Sequence, residues 1–268
     1  MFFVSELNIY PVKSLGGFSV AEAKVTPTGF EHDRRWMLVD RQGIFMTQRD
    51  FPSMALLQTA IIPEGLYISH KHFPEKNITI PFITSSHCVK QVQIWNDQCD
   101  AWCYDNAEMD AWFNEMLDTD CELVYMPDST KRIVEPAYAK NNEITSFSDA
   151  YPFLIIGQST LDDINSKLET SVPMNRFRPN IVFSEATPFI EDSWKHFTIG
   201  TVDFFGVKPC ARCQITTINQ QTAVGGKEPL KTLASYRTES NKVKFGMNLL
   251  HKGDGIIKVG HPITVHNS

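Results

Sequence analysis

Apolar positions in the first third of the chain fall in short β-branched and aromatic runs, each ended by Gly, Pro or Asn. They are Val4 to Tyr10, Val20 to Val25, Trp36 to Asp40, Ala55 to Ile62 and Leu66 to His70. Runs of that length and composition predict strands. Val89 to Ile94 adds another, and then the period changes. Met109, Trp112, Phe113 and Met116 recur at helical intervals within Ala107 to Leu117, which predicts a helix with one apolar face. Cys121 to Tyr125 returns to strand. The stretch from Met126 to Glu143 is rich in Pro, Asp, Lys and Asn without a period, so it reads as a long surface loop and a candidate lid.

The second half is again strand-rich. Expected strands are Leu154 to Ile156, Asn180 to Ser184, Phe197 to Ile199, Val202 to Phe205, Ile215 to Ile218, Gly255 to Gly260 and Ile263 to Val265. Short helices are expected at Ser159 to Leu168 and Pro229 to Arg237, the first with Ser159 as N-cap and Asp162 at the capping-box position. Many short strands with few helices favour antiparallel sheets or barrels over a doubly wound parallel sheet. The expected fold class is mainly β (α+β), in two domains, 1–120 and 121–268.

With 268 residues, 42% of them hydrophobic, the chain can bury one large core or two modest ones. The net charge of −6 gives no general attraction for nucleic acid or anionic lipid, so any anion must be held by a few placed cations. No run of about 18 apolar residues suits a membrane span, and Met1 to Glu6 is too short and lacks the basic flank of a signal peptide. A soluble, cytoplasmic protein is expected. The six cysteines (88, 99, 103, 121, 210, 213) are irregularly spaced, so most are expected as free thiols.

The placement of two of them carries chemistry. Lys208-Pro-Cys-Ala-Arg-Cys213 is a C-x-x-C pair with a basic residue inside it. On its own it admits half a zinc site, a redox dithiol, one metal ligand beside a bystander, or two small buried hydrophobes. Arg212 would raise the local positive potential and favour a thiolate. Tyr10-Pro-Val-Lys-Ser-Leu-Gly-Gly17 ends a strand where an ammonium, a hydroxyl and backbone N–H groups can converge on one anion; an ordinary strand exit with a solvated lysine is the plainer alternative. His32-Asp-Arg-Arg-Trp36 is a charged turn ahead of a strand. Arg178 and Asn180 flank a proline that favours extended backbone, so they are expected to share one strand face. The histidines at 70, 72, 87, 196, 251, 261 and 266 show no metal-ligand spacing and are read as surface or packing residues. No G-x-S-x-G, P-loop or G-x-G-x-x-G is present.

Taken together, Tyr10 to Ser14, Phe177-Arg-Pro-Asn-Ile181 and Lys208 to Cys213 resemble the MOSC family, named for the C-terminal domain of molybdenum cofactor sulfurase. Within it, the chain resembles the amidoxime-reducing components and their bacterial counterparts. The resemblance implies an antiparallel β-barrel MOSC domain preceded by a β-rich N-terminal MOSC domain. It implies a molybdenum-molybdopterin cofactor, with Cys213 as thiolate ligand to the metal and no such role for Cys210. It implies Lys13, Ser14 and Arg34 on the pterin phosphate, and Ser148, Asp149, Arg178, Asn180, Arg212 and Asn248 at the cofactor, with Asp149 also a candidate proton relay. In Ser148-Asp-Ala-Tyr-Pro-Phe153, Ala150 and Tyr151 replace a Thr and a Ser of the reductases. The implied activity is reduction of small N-hydroxylated compounds with electrons from a separate ferredoxin, cytochrome or flavoprotein reductase. No nucleic-acid or membrane partner is expected. A rival reading is a non-catalytic carrier of the cofactor or of persulfide sulfur.

Overall fold

The structure is a computed structural model that describes residues 1–82, 87–139 and 141–266. Lys140 of the expected lid and the His87 side chain lie outside the described residues. Seven strands close into a barrel: β1 (Phe2–Ile9), β2 (Phe153–Gly157), β3 (Ile181–Ser184), β4 (His196–Ile199), β5 (Val202–Ala211), β6 (Lys242–Lys252) and β7 (Pro262–Val265). Around the barrel the order is β2-β3-β1-β7-β4-β5-β6, and β6 pairs back onto β2 through Phe153↔Leu249. In this ring β2 and β3 run parallel, and the other neighbours are antiparallel. Closure removes the unpaired edges that an open sheet would present.

The barrel is filled by Leu7, Phe30, Phe153, Ile155, Phe183, Phe197, Phe204 and Leu249, all essentially buried. Each aromatic ring so placed is worth about 1.5–3 kcal/mol of burial. Rings meet edge to face, as Phe153 and Phe204 do with centroids 5.4 Å apart, the arrangement that ring quadrupoles favour. Gly206 lets β5 pass close to the Trp194 carbonyl, where a Cβ would stand 2.0 Å from the oxygen. Two register shifts then follow in β5, between Gly206 and Lys208 and between Pro209 and Ala211. Such bulges bend a strand and re-aim its side chains.

The first half forms a second unit. Trp36–Val39, Glu122–Tyr125, Asp97–Tyr104 and His87–Ile94 make a four-stranded sheet, and Leu57–Ile62, Gly65–His70 and Phe73–Ile80 a three-stranded one. Helix α1 (Ala107–Leu117) puts Met109, Phe113 and Leu117 into their shared core. Asn106 caps it, its Oδ1 accepting from the Met109 N–H at 3.0 Å. The two halves of the sequence exchange strands. Strand β1 from the chain start is a stave of the barrel, Glu122–Tyr125 pairs with Trp36–Val39, and Glu22–Thr26 pairs with Gly255–Lys258. Strand pairing thus crosses residue 120.

Some local readings differ from the structure. Helix α2 (Gln158–Asn165) begins straight out of β2 with Gly157 at its N-cap and no side-chain cap. The buried Glu191 supplies acceptors instead, taking the Gly157 N–H at 3.2 Å and the Thr160 hydroxyl at 3.0 Å, so Ser159 has no capping role. The expected strand Ile215 to Ile218 is a 3-10 turn, Gln214–Thr217. Its threonine hydroxyls bond the carbonyls of Cys213 and Gln214, a local alternative to a ladder. Phe73–Ile80, Asp97–Tyr104 and most of Lys242–Lys252 carry too many polar residues on their open faces to be read as strands in advance. Cys88 and Cys103 stand opposite each other on paired strands and form a disulfide, while Cys99, Cys121, Cys210 and Cys213 are free.

Candidate functional site

At one end of the barrel, where β5 is bulged, a cavity of about 300 Å³ opens between the two units. Every site residue read from the sequence lines it: Lys13, Ser14, Arg34, Ser148, Asp149, Arg178, Asn180, Arg212, Cys213 and Asn248. Six cations (Lys13, Arg34, Arg178, Lys208, Arg212, Lys242) face two carboxylates, Glu135 and Asp149. The chain as a whole carries −6, so the sign of charge is inverted locally, as an anion site requires.

At the Lys13 end, backbone strain and stacking set the geometry. Ser14, Arg34 and Arg178 all have left-handed backbones, with φ of 67°, 50° and 56°. Non-glycine residues hold that conformation only where their surroundings impose it. The Arg34 and Arg178 guanidinium groups stack on Tyr10, 4.4 and 4.3 Å from its ring centre. Arg34 donates to Asp33 at 2.6 Å and to the Arg178 carbonyl at 3.1 Å, and Arg178 donates to the Leu15 carbonyl at 2.6 Å. Burial, with the like charge of Arg34, brings the Arg178 pKa down to about 10, and burial pushes the Tyr10 phenol up to about 12 against the pull of both arginines.

Arg178 and Asn180 are not on a strand, contrary to the expectation of a shared strand face, because β3 begins at Ile181 and Arg178 is left-handed. They still border one cavity. The Asn180 amide is committed to backbone, accepting from the Leu154 N–H and donating to the Asn8 carbonyl, each at 3.3 Å. Asn248 likewise donates to the Lys208 carbonyl at 3.0 Å. Both shape the wall.

Lys13 is buried and donates to the Phe147 carbonyl at 2.9 Å and to Asp149 Oδ1 at 2.6 Å. Burial lowers its pKa, and Asp149 offsets part of that. Loss of water around it would raise the Asp149 carboxyl, but the Lys13 ammonium, helped by Arg49 and the Trp95 N–H, outweighs that and holds the group well below the usual carboxylate range. The Asp149 side chain is nonetheless 62% exposed, because its open side is the cavity itself. We therefore assign its ionisation to its charge partners. Arg132, which the sequence did not single out, holds this loop from behind, donating to the carbonyls of Ser146 at 3.0 Å, Ser148 and Asp149 at 2.9 Å. Ser148 is turned to the Tyr151 carbonyl at 2.8 Å, while the Tyr151 hydroxyl is buried without a partner. The candidate lid is pinned: Arg132–Ile133 pairs with Ile144–Thr145, Val134 is buried, and Tyr138 meets Tyr151 edge on.

At the other end, Cys213 follows β5 and opens the 3-10 turn. Arg212 does not serve its sulfur. It donates to Cys210 Sγ at 3.1 Å and to the Phe177 carbonyl at 2.6 Å. The guanidinium beside Cys213 is Arg49, missed by sequence reading, with Nη1 3.7 Å from Sγ. Among the described residues neither Cys210 nor Cys213 joins a group of three ligands at metal-binding distance, so the zinc reading gains nothing.

These residues fit an anionic group ligated by sulfur. Arg178 Nη2 and Arg212 Nε are buried with no partner, and a buried unpaired donor costs about 1–3 kcal/mol until a ligand meets it. The Cys213 thiol stands at the far end, a soft donor suited to a soft or redox-active metal.

Comparisons with known proteins agree in placing this chain. Residues 1–120 match the family MOSC N-terminal beta barrel domain, and residues 142–264 match the MOSC domain. Mitochondrial amidoxime-reducing component 1 of Mus musculus is 32% identical, over 97% of this chain and 81% of its own length. That of Homo sapiens is also 32% identical, over 97% and 82%. Molybdenum cofactor sulfurase of Solanum lycopersicum is 31% identical over 97% of this chain. This chain spans about a third of that sulfurase, 35% of its length. Among the described residues no helix is long and apolar enough to cross a membrane.

Proposed function

The chain belongs to the MOSC-domain family, and on that premise we propose that it is a molybdenum-pterin oxidoreductase that reduces small N-hydroxylated compounds with electrons from a separate protein. The observation that carries this reading is the cavity in which buried, unpaired guanidinium donors and a net excess of cations lead to the half-buried thiol of Cys213, with Cys210 beside it held by Arg212. Bound there, the cofactor would supply the two-electron redox chemistry that reduction of an N–OH bond needs.

The chain's own residues do the rest. Lys13, Ser14, Arg34 and Arg178 hold the phosphate end, and the Tyr10 stack fixes the direction of both guanidinium groups before any ligand arrives. Arg212 Nε and Arg178 Nη2 are free to donate to the pterin. Cys213 provides the sulfur ligand, and Arg212 keeps Cys210 out of that role by holding its sulfur. Asp149, ionised and open to the cavity, is placed to hold the N–H side of a substrate.

The test is metal and pterin analysis of protein made in a cofactor-competent host, followed by turnover of an amidoxime and of hydroxylamine with a chemical reductant. Stoichiometric molybdenum with turnover supports the proposal. Bound cofactor without turnover would point to a carrier, and absence of cofactor would overturn the reading.

A further inference from the structure

Arg49 lies outside every motif read from the sequence, yet its Nη1 is 3.7 Å from Cys213 Sγ. Its place is determined from several sides. The guanidinium stacks on Trp95 at 4.4 Å and faces Phe45 at 5.9 Å. Its backbone N–H donates to Thr47 Oγ1 at 3.2 Å, and its carbonyl accepts from Gln214 at 3.5 Å. The neighbouring Gln48 is buried and donates to the Ser14 carbonyl at 2.6 Å. One short segment thus touches both the anion end and the sulfur end of the cavity.

Trp95 is itself unusual. It sits at the tip of the hairpin joining His87–Ile94 to Asp97–Tyr104, with φ of 55°, and is 45% exposed. A bulky residue rarely takes a left-handed backbone. Its Nε1–H donates to Asp149 Oδ1 at 3.3 Å, so the same ring braces Asp149 and Arg49. The strain is kept where it aims a charge at the sulfur.

We propose that Arg49, locked by Trp95, is a positioning residue that donates to the Cys213 sulfur and thereby raises the reduction potential of the metal held there. A cationic N–H donor draws electron density from a thiolate ligand and favours the metal's more reduced state; hydrogen bonds to ligand sulfur are a recognised lever on potential. Arg212 holds Cys210 in the same way, so each sulfur has its own guanidinium. The inference rests on the reading of Cys213 as the metal ligand.

The experiment compares the loaded full-length wild type with Arg49→Ala, Arg49→Lys and Trp95→Ala, measuring metal content, melting temperature, KM and the midpoint potential from a redox titration followed by the molybdenum signal. The expected result is a lower potential in Arg49→Ala at unchanged metal content and KM, a partial return in Arg49→Lys, and a smaller fall in Trp95→Ala. Quenching of Trp95 by acrylamide in protein from a cofactor-deficient host should rise in Arg49→Ala, with Trp95→Phe giving the baseline. An unchanged potential in Arg49→Ala overturns the inference. So does joint loss of stability and metal in the Arg49 variants with an unchanged potential in Trp95→Ala, which would make Arg49 merely structural. A wild type that binds no metal removes the reading of the site, and this inference with it, whereas a wild type that turns over with a potential indifferent to Arg49 removes this inference alone.

Discussion

At the Lys13 end of the cavity each cation is stacked or hydrogen-bonded to protein, and Arg34 and Arg178 hold left-handed backbones; at the Cys213 end the sulfur is half-exposed and touched by one long contact. Tyr10 lies between two guanidinium groups, whereas Cys213 has Arg49 at 3.7 Å. Rigidity at the first end suits a group that stays bound, because a preorganised anion site loses little on binding. Openness at the second suits a centre that must admit a substrate. Burial is therefore concentrated where the anion is proposed to be held, away from where the reaction is proposed to occur.

The sharpest break in that contrast is at the sulfur. Cys213→Ser should abolish N-hydroxy reduction with an unchanged melting temperature, because a hydroxyl replaces a soft ligand at little change in volume. Cys210→Ser should keep most activity, since its sulfur is engaged by Arg212. Turnover and metal content measured in both variants decide it. Equal loss of metal in the two would return the dithiol reading.

Next in size is the anchoring end. Lys13→Ala with Arg34→Ala should lower pterin occupancy while leaving the fold intact. Charge-assisted contacts are worth about 1.5–3 kcal/mol each, or about 10- to 100-fold in affinity per residue. Occupancy equal to wild type in the double variant would detach these residues from the site.

A smaller effect follows from Asp149. Its folded pKa lies below the unfolded value near 3.9, so its contribution to stability is full above that value and is lost as pH falls through the folded pKa. The gap in melting temperature between wild type and Asp149→Asn should be constant from about pH 7 to 5 and close below about pH 4. A gap that closes near pH 6 would mean that Lys13 does not govern this carboxylate.

The smallest effect tests the strain itself. Ser14→Gly should relieve a left-handed Cβ and raise stability by about 1 kcal/mol, while pterin occupancy falls through loss of the hydroxyl. A glycine variant that is less stable would show that Ser14 is not strained.

Helix α1 was legible from four apolar residues at helical spacing, because its core-facing stripe is continuous in the sequence. The strand Lys242–Lys252 was not, since its buried run from Phe245 to Leu250 is broken by Gly246 and Asn248 and flanked by lysines and a histidine. Among site residues, Lys13, Ser14, Arg34, Arg178 and Cys213 could be named from contiguous motifs that resemble a known family. Arg49, Trp95 and Arg132 could not, because each acts through a contact across 164, 54 or 14 to 17 residues of chain. The nearest hint was Trp95, an aromatic in a turn.

The sequence by itself determined a strand-rich chain, its first helix, and the cations and thiols that line the cavity, because those properties reside in single residues and their near neighbours. Tertiary structure alone decided that β1 would join the barrel and that Arg212 would turn to Cys210 and leave Cys213 to Arg49. It also decided that the charge of the cavity would oppose that of the chain. Barrel closure and ring stacking bring together side chains that no local pattern relates, and the field at a site depends on which charges are gathered there.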